Sequence, residues 1–155
     1  MTLQRHAQKL REDCGGRVTA AEKLHLTLVF IGNVALAQLP ELKSAADAIA
    51  ATAFDLVLDQ FGYWKHNRIV WAAPRAVPEP LRVLVAGLES ALMRAEFAFD
   101  ARPYAPHITL IRNAREPSAL PALVLPWPVS EYTLVESVRD DRGSHYRVIG
   151  RWPLS

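Results

Sequence analysis

The sequence predicts an α+β protein whose mostly antiparallel sheet is backed by helices on its outer faces. Through the middle of the chain, segments with apolar residues at helical spacing alternate with short apolar segments typical of strands. The chain then ends in a pattern typical of a β-hairpin. Its 155 residues, of which 50% are hydrophobic, are enough for one domain with its own core.

The first half of the chain alternates between helical and strand patterns. Residues 3–13 predict a short helix that ends at Gly15, because glycine favours the end of a helix. Leu24–Ile31 alternates polar and apolar residues and predicts a strand. Ala37–Ala53 carries apolar residues every three or four positions and predicts a second helix.

The second half predicts two strands, a long helix, a further strand and the closing hairpin. Two strands are predicted at Phe54–Gln60 and Arg68–Ala73, with a loop around Gly62, Tyr63 and Trp64 between them. A helix at Pro78–Ala95 and a strand at Pro106–Ile111 follow. The chain then continues through a proline-rich connection at Pro117–Pro128 to hairpin strands at Val129–Arg139 and Ser144–Trp152. Strands that follow one another through short turns pair antiparallel, so these elements favour the α+β class.

Composition and charge exclude several classes of protein. The 18 Lys and Arg against 16 Asp and Glu give a formal net charge of +2, which argues against a polybasic protein that coats duplex nucleic acid but leaves room for a local phosphate site. Cys14 is the single cysteine, which excludes an intramolecular disulfide and favours a reducing compartment. No segment has the length and apolar character of a signal peptide or membrane span, so we expect a cytoplasmic protein.

A repeated tetrapeptide carries the chemistry. His25-Leu26-Thr27-Leu28 returns 82 positions later as His107-Ile108-Thr109-Leu110. Because side chains alternate across an extended chain, the imidazole and hydroxyl of each copy share one face, about 7 Å apart. Two such segments placed close together would present two imidazoles and two hydroxyls.

This set of groups fits hydrolysis of a phosphodiester, above all a strained cyclic one. Histidine titrates near neutral pH, so one imidazole can act as general base and the other as general acid. Hydroxyls can donate hydrogen bonds to the oxygens of a bound phosphate. The set requires no metal, and the other histidines, His6, His66 and His145, lack the spacing of metal ligands.

Around these motifs the sequence resembles the 2H phosphoesterase superfamily, which is defined by two His-x-Thr/Ser motifs followed by an apolar residue. Within it, GRVTAAEKLHLTLVFIG, RPYAPHITLIR and YRVIGRWPL resemble the RNA 2′,3′-cyclic phosphodiesterases, historically called 2′-5′ RNA ligases. The resemblance implies a single domain over residues 1–155 with two lobes. Each lobe is an antiparallel sheet with outer helices, the lobes are related by a pseudo-twofold axis, and the motifs at 25–28 and 107–110 face a cleft.

The resemblance also implies that the family's usual N-terminal strand lies before the segment corresponding to the start of this chain. We therefore expect a fold that lacks this strand. Three explanations stay open: the start codon is assigned too late, the protein is a natural short form, or another element takes the place of the strand.

The resemblance implies that RNA 2′,3′-cyclic phosphate ends are opened to 2′-phosphomonoesters without a cofactor, with reversible 2′-5′ RNA ligation as a further activity. The catalytic set is then His25, Thr27, His107 and Thr109. We assign His107 as general base and His25 as general acid, although the symmetric motif leaves the two roles open. Thr27 and Thr109 are expected to bind the phosphate.

Two further residues are candidates by resemblance. Arg112 corresponds to a phosphate-contacting arginine of the family, but strict alternation points it away from Thr109, so a bulge, a twist or the strand end must bring it to the substrate. Tyr104 can stack on a nucleobase or pack beneath the turns at Pro103 and Pro106.

Other substrates and functions stay open. The expected partners are RNA ends or nucleotides that carry a 2′,3′-cyclic phosphate, with no membrane and no obligate protein partner. A phosphodiesterase for small cyclic or 2′-5′ nucleotides would need the same motifs. A non-catalytic RNA- or nucleotide-binding module is the alternative from another class. Tyr63, Trp64 and Arg68 surround a loop that could reach the cleft, and packing in the core or on the surface is the favoured interpretation for them.

Overall fold

The computed structural model describes residues 2–155 and contains three α-helices and eight β-strands in that range. The helices are α1 (Leu3–Cys14), α2 (Leu39–Asp47) and α3 (Glu79–Arg94), and the strands are β1 (Arg17–Val18), β2 (Phe54–Leu58), β3 (Gln60–Trp64), β4 (Ile69–Ala73), β5 (Ile108–Arg112), β6 (Leu125–Val129), β7 (Glu131–Asp140) and β8 (Gly143–Pro153). Short 3₁₀ turns lie at Ala21–Lys23 and Leu36–Gln38. None of the helices in residues 2–155 has the length and apolar character needed to cross a bilayer.

The chain divides into two compact units, each assembled from three segments. Unit 1 consists of the residues up to Thr27, Leu56–Ala76 and Ala105–Trp127. Unit 2 consists of Leu28–Asp55, Val77–Tyr104 and Pro128–Ser155. A two-stranded sheet of β2 and β6 accompanies a four-stranded sheet and the β7–β8 hairpin. The predicted α+β class with antiparallel sheets is confirmed.

Unit 1 is built on a four-stranded sheet in the order β1-β5-β4-β3, in which each neighbouring pair is antiparallel. Helix α1 begins where the Thr2 hydroxyl accepts a hydrogen bond from the Arg5 backbone N–H at 3.2 Å, and it ends at Gly15 with a φ of 66°. Its buried residues recur at helical spacing and are Leu3, Ala7, Leu10 and Cys14. The rings of His6 on α1 and Phe61 on β3 lie 5.5 Å apart, so α1 covers the face of the sheet to which Phe61 points.

The other face of this sheet is defined by a β-bulge. Trp71 lies opposite Thr109 and Val70 lies opposite Ile111, so β5 contains one extra residue, Leu110, between the two pairs. Residues that pair directly share a face, and successive residues alternate. The bulge therefore returns Arg112 to the face that carries Thr109. We call this surface, with Gly62, Trp64, Trp71, Thr109 and Arg112, the Trp71 face.

On the Trp71 face, the side chain of Trp71 lies close to the backbone of Gly62. Gly62 on β3 lies opposite Trp71 on β4. A Cβ atom at Gly62 would overlap the six-membered ring of the Trp71 indole. The indole therefore lies flat across Gly62, where any other residue would displace it.

Unit 2 packs helices α2 and α3 with the β7–β8 hairpin around two apolar clusters. The first is centred on Leu42, Leu92 and Phe97, and the second on Leu84, Tyr132 and Leu154. The hairpin is tied to the end of α2, since the Tyr132 hydroxyl donates to the Ala46 carbonyl at 3.1 Å and the Trp152 indole donates to Asp47 Oδ1 at 2.6 Å.

Several predicted elements are confirmed within small shifts of their ends. The predicted helices over 3–13 and 78–95 are α1 and α3, and the closing hairpin is β7–β8 with its turn before Gly143. The predicted helix over 37–53 is the shorter α2, preceded by a 3₁₀ turn. The connection over 117–128 contains most of β6.

One strand prediction and one loop prediction are wrong. Leu24–Ile31 lies outside the eight strands of residues 2–155, although exposed and half-buried residues alternate through most of this segment. Gly62, Tyr63 and Trp64 belong to β3 rather than to a loop, and the chain turns after them at 65–68. Gly62 is needed for the Trp71 ring rather than for a turn.

Replacement of Gly62 by alanine should destabilise the protein by about 1–3 kcal/mol, because the added methyl group forces Trp71 out of its position. Urea unfolding measures this change. Gly87→Ala on α3 is the matched control, since its Cβ would meet Ile49 at an ordinary 3.7 Å and alanine favours a helix. We expect Gly87→Ala to be neutral or stabilising, and an unchanged midpoint for Gly62→Ala would contradict the packing described.

Candidate active site

The first motif follows the 3₁₀ turn at Ala21–Lys23. His25 and Thr27 are exposed while Leu26 between them is half-buried, which is the alternation expected of an extended backbone, although this segment lies outside the strands. The Nδ1 atom of His25 lies 2.7 Å from the Lys23 carbonyl oxygen. This contact with the backbone of the preceding turn orients the ring.

The second motif lies where the chain enters β5. His107 directly precedes the strand, and its Nδ1 atom lies 2.9 Å from the Ala105 carbonyl oxygen. Thr109 lies within β5 opposite Trp71, and both His107 and Thr109 are half-buried. His25, Thr27, His107 and Thr109 all belong to unit 1.

The two imidazoles are anchored in the same way, each by the carbonyl group two residues before it. A carbonyl oxygen only accepts hydrogen bonds, so each Nδ1 atom carries a proton. In a neutral ring the remaining nitrogen, Nε2, is then the unprotonated one and can accept a proton. In a protonated ring the same Nε2 atom can donate one. The anchoring therefore serves a base and an acid equally well.

An aromatic cluster adjoins the second motif. The ring of Trp64 lies 4.6 Å from the ring of His107 at an interplanar angle of 74°, and 5.4 Å from the ring of Trp71. Trp71 in turn lies across Gly62. Gly62, Trp71 and Trp64 thus form a continuous support for one side of the His107 ring.

Sequence reasoning missed this contact of Trp64 with His107. The available signal was the spacing of Gly62 and Trp64 two residues apart, which places both on one face of a strand. Only the pairing of β3 with β4 and of β4 with β5 shows that this face is the one with the second motif.

Arg112 and Tyr104 occupy different units. Arg112 is exposed and lies on the Trp71 face, because the bulge at Leu110 supplies the change of direction that strict alternation lacks. Tyr104 belongs to unit 2 and is half-buried. Burial raises the pKa of the Tyr104 phenol, so this hydroxyl keeps its proton at neutral pH.

Tyr63 and Arg68 support the loop that follows β5. The Tyr63 hydroxyl donates to the Ala114 carbonyl at 2.9 Å, and Arg68 Nε donates to the same oxygen at 3.2 Å. Arg68 itself adopts a φ of 57° at the turn between β3 and β4. Both side chains therefore have structural partners.

Other reactive groups lie apart from this chemistry. Cys14 is buried on α1, and burial raises the pKa of its thiol, which disfavours the nucleophilic thiolate. Over residues 2–155, no three His, Cys, Asp or Glu side chains are grouped so that they could hold a metal ion.

Comparison of the sequence with known proteins finds one matching family and relatives that share one name. The family described as LigT like phosphoesterase matches residues 1–71, which include the first motif. The RNA 2′,3′-cyclic phosphodiesterase of Escherichia coli (strain K12) is 37% identical over 142 residues, covering 90% of this chain and 81% of that protein. The protein of the same name from Thermus thermophilus is 31% identical over 157 residues, covering 94% of this chain and 79% of that protein.

The fold agrees with these sequence matches. The crystal structure of E. coli LigT complexed with 3′-AMP superposes with a TM-score of 0.86 at 33% identity, covering 98% of this chain and 91% of that one. With this degree of identity over most of both proteins, the chain belongs to the LigT-like phosphoesterase family.

Proposed function

We propose that this protein hydrolyses the 2′,3′-cyclic phosphate at an RNA end and leaves a 2′-phosphomonoester. The observation that carries the proposal is the pair of His-x-Thr motifs in which both imidazoles are held through Nδ1 by a backbone carbonyl. The relatives named RNA 2′,3′-cyclic phosphodiesterase support it, because they match nearly the whole chain.

In the proposed reaction, His107 Nε2 takes a proton from water while the water oxygen attacks phosphorus opposite the 3′ oxygen. The bond from phosphorus to the 3′ oxygen breaks, and His25 Nε2 donates a proton to that oxygen. The phosphate stays on the 2′ oxygen. Nδ1 keeps its proton in both rings throughout, so each carbonyl anchor is retained during the proton transfers.

The remaining groups bind the substrate. Thr27 and Thr109 donate hydrogen bonds to the non-bridging phosphate oxygens, and Arg112 supplies positive charge on the face that carries Thr109. Tyr104 stacks on the terminal nucleobase. No cofactor takes part in this scheme.

The same groups would also support ligation. Attack by a 5′ hydroxyl in place of water breaks the same bond to the 3′ oxygen and joins two RNA ends through a 2′-5′ linkage. The free, buried thiol of Cys14 supports a reducing compartment such as the cytoplasm for this chemistry.

Replacement of either motif histidine by alanine should lower kcat by about 10²–10⁴-fold, because one proton transfer in the transition state is lost. The assay uses an oligonucleotide with a 2′,3′-cyclic phosphate end and identifies the product as 2′- or 3′-phosphate. The wild type should show a bell-shaped pH profile that EDTA does not change.

His145→Ala is the matched control for these variants, since His145 is an exposed residue of β8 in unit 2. Its activity should equal that of the wild type. Near-normal turnover by His25→Ala or His107→Ala would refute the mechanism. Binding of the cyclic end by the wild type without turnover would instead favour a binding module.

Trp64 should act as a positioning residue for His107. Trp64→Leu removes the ring that supports the imidazole and should lower kcat by about ten- to a hundredfold with little change in KM, because a misplaced base reacts slowly on a substrate that still binds. Trp64→Phe retains an aromatic contact and should restore part of the lost rate.

Phe61→Leu is the control, because Phe61 lies on the same strand but points to the α1 side of the sheet. It should reduce stability and leave kcat unchanged. A rise in KM for Trp64→Leu at constant kcat would show that Trp64 contacts substrate rather than orienting His107.

A further inference from the structure

We propose that Arg17 binds the phosphodiester on the 5′ side of the terminal nucleotide, so that an RNA chain is a better substrate than a free 2′,3′-cyclic mononucleotide. The inference rests on the function proposed above and names the part of the substrate that the catalytic groups do not reach. It assigns a binding role to a residue outside both motifs.

The strand pairing places Arg17 beside the candidate site. Arg17 on β1 lies directly opposite Arg112 on β5, so both side chains share one face, with Cβ atoms about 5 Å apart. Arg112 lies on the Trp71 face together with Thr109. Arg17 therefore continues the positive charge of Arg112 one strand further from Thr109.

Two like charges directly opposite each other in a sheet repel and are destabilising. Both guanidinium groups belong to exposed residues, and within residues 2–155 neither forms an ion pair with a carboxylate. An anion bound between or beside them would relieve the repulsion. A phosphodiester suits this position, because guanidinium groups bind phosphate oxygens through two parallel hydrogen bonds.

Glycine at position 16 makes this arrangement possible. Gly16 has a φ of 86°, and a Cβ atom there would lie 2.5 Å from the Arg112 carbonyl oxygen and 2.8 Å from Ile111 Cγ2. Arg11 Nε also donates to the Gly16 carbonyl at 2.9 Å. The backbone that carries Arg17 is thus held against β5 in a defined position.

Charge is divided unevenly between the two units. Unit 1 carries 10 Lys and Arg against 5 Asp and Glu, a net charge of +5, whereas unit 2 carries 8 against 11, a net charge of −3. The total of +2 conceals this difference. The unit that holds both motifs therefore favours a ligand with several negative charges.

The comparison of two substrates isolates this interaction. Adenosine 2′,3′-cyclic phosphate carries only the reacting phosphate, whereas a diadenylate with a cyclic end adds one phosphodiester. Arg17→Gln should raise KM for the diadenylate about tenfold and leave kcat and both constants for the mononucleotide unchanged. The dependence of log KM on log salt concentration for the diadenylate should become shallower by about 0.7, as expected for one lost phosphate contact on a single strand.

Arg5→Gln is the matched control, since it removes the same charge from an exposed residue of α1 on the other side of the sheet. Arg5→Gln should leave kcat and KM unchanged for both substrates. Arg17→Gln should unfold at the same or a higher urea concentration than the wild type, because it removes a repulsive charge.

An equal change of KM for both substrates, or no change for the diadenylate, would overturn the assignment of Arg17. So would a clear loss of stability on Arg17→Gln, which would indicate a structural role. Absence of turnover by the wild type on both substrates would instead count against the proposed function itself.

Discussion

The bulge at Leu110 determines which residues of β5 can act together. Before the bulge the strand presents Thr109 to the Trp71 face, and without an extra residue Arg112 would point to the side covered by α1. With the bulge, Leu110 and Ile111 are both fully buried and Arg112 emerges beside Thr109. One inserted residue thus keeps two large apolar side chains in the core and places a hydroxyl and a guanidinium on the same surface. Arg17 shares this face with Arg112, because β1 pairs with β5 beyond the bulge.

The imidazoles of the two motifs are oriented by local contacts with the backbone. Each ring is anchored by the carbonyl group two residues earlier, so the protonated nitrogen is set by the motif's own backbone. A strand ladder is not required for this, since the first motif lies outside the eight strands of residues 2–155. The two motifs differ in what surrounds them: His107 has the support of Trp64, and its threonine is held in a sheet.

The sequence predicted the fold class and the family more closely than it predicted the individual strands. Alternation was sufficient to place His25 and Thr27 on one side, because that requires only an extended backbone. It was insufficient to predict a strand at Leu24–Ile31, because a strand also needs a partner whose position depends on the rest of the chain. Gly62 resembled a turn signal, and its real role depends on Trp71, a residue that reaches it only through the pairing of β3 with β4. For Arg112, reasoning from the sequence required a bulge, a twist or a position at the strand end, and the register shows a bulge at Leu110.

The charge distribution shows why the net charge of the whole chain underestimates the attraction of unit 1 for an anionic ligand. Unit 1 is assembled from three separate segments, so its excess of cations is dispersed along the sequence and leaves no basic run. Folding brings these segments into one unit with a net charge of +5, although the whole chain carries only +2. A modest total charge limits indiscriminate attraction to long nucleic acids, since that attraction grows with the number of phosphates neutralised. The guanidinium groups of Arg112 and Arg17 can still bind a correctly placed RNA end tightly, because one contacts the terminal phosphate and the other contacts the neighbouring phosphodiester. Selectivity for an RNA end then arises from the position of a few charges in unit 1 rather than from their number.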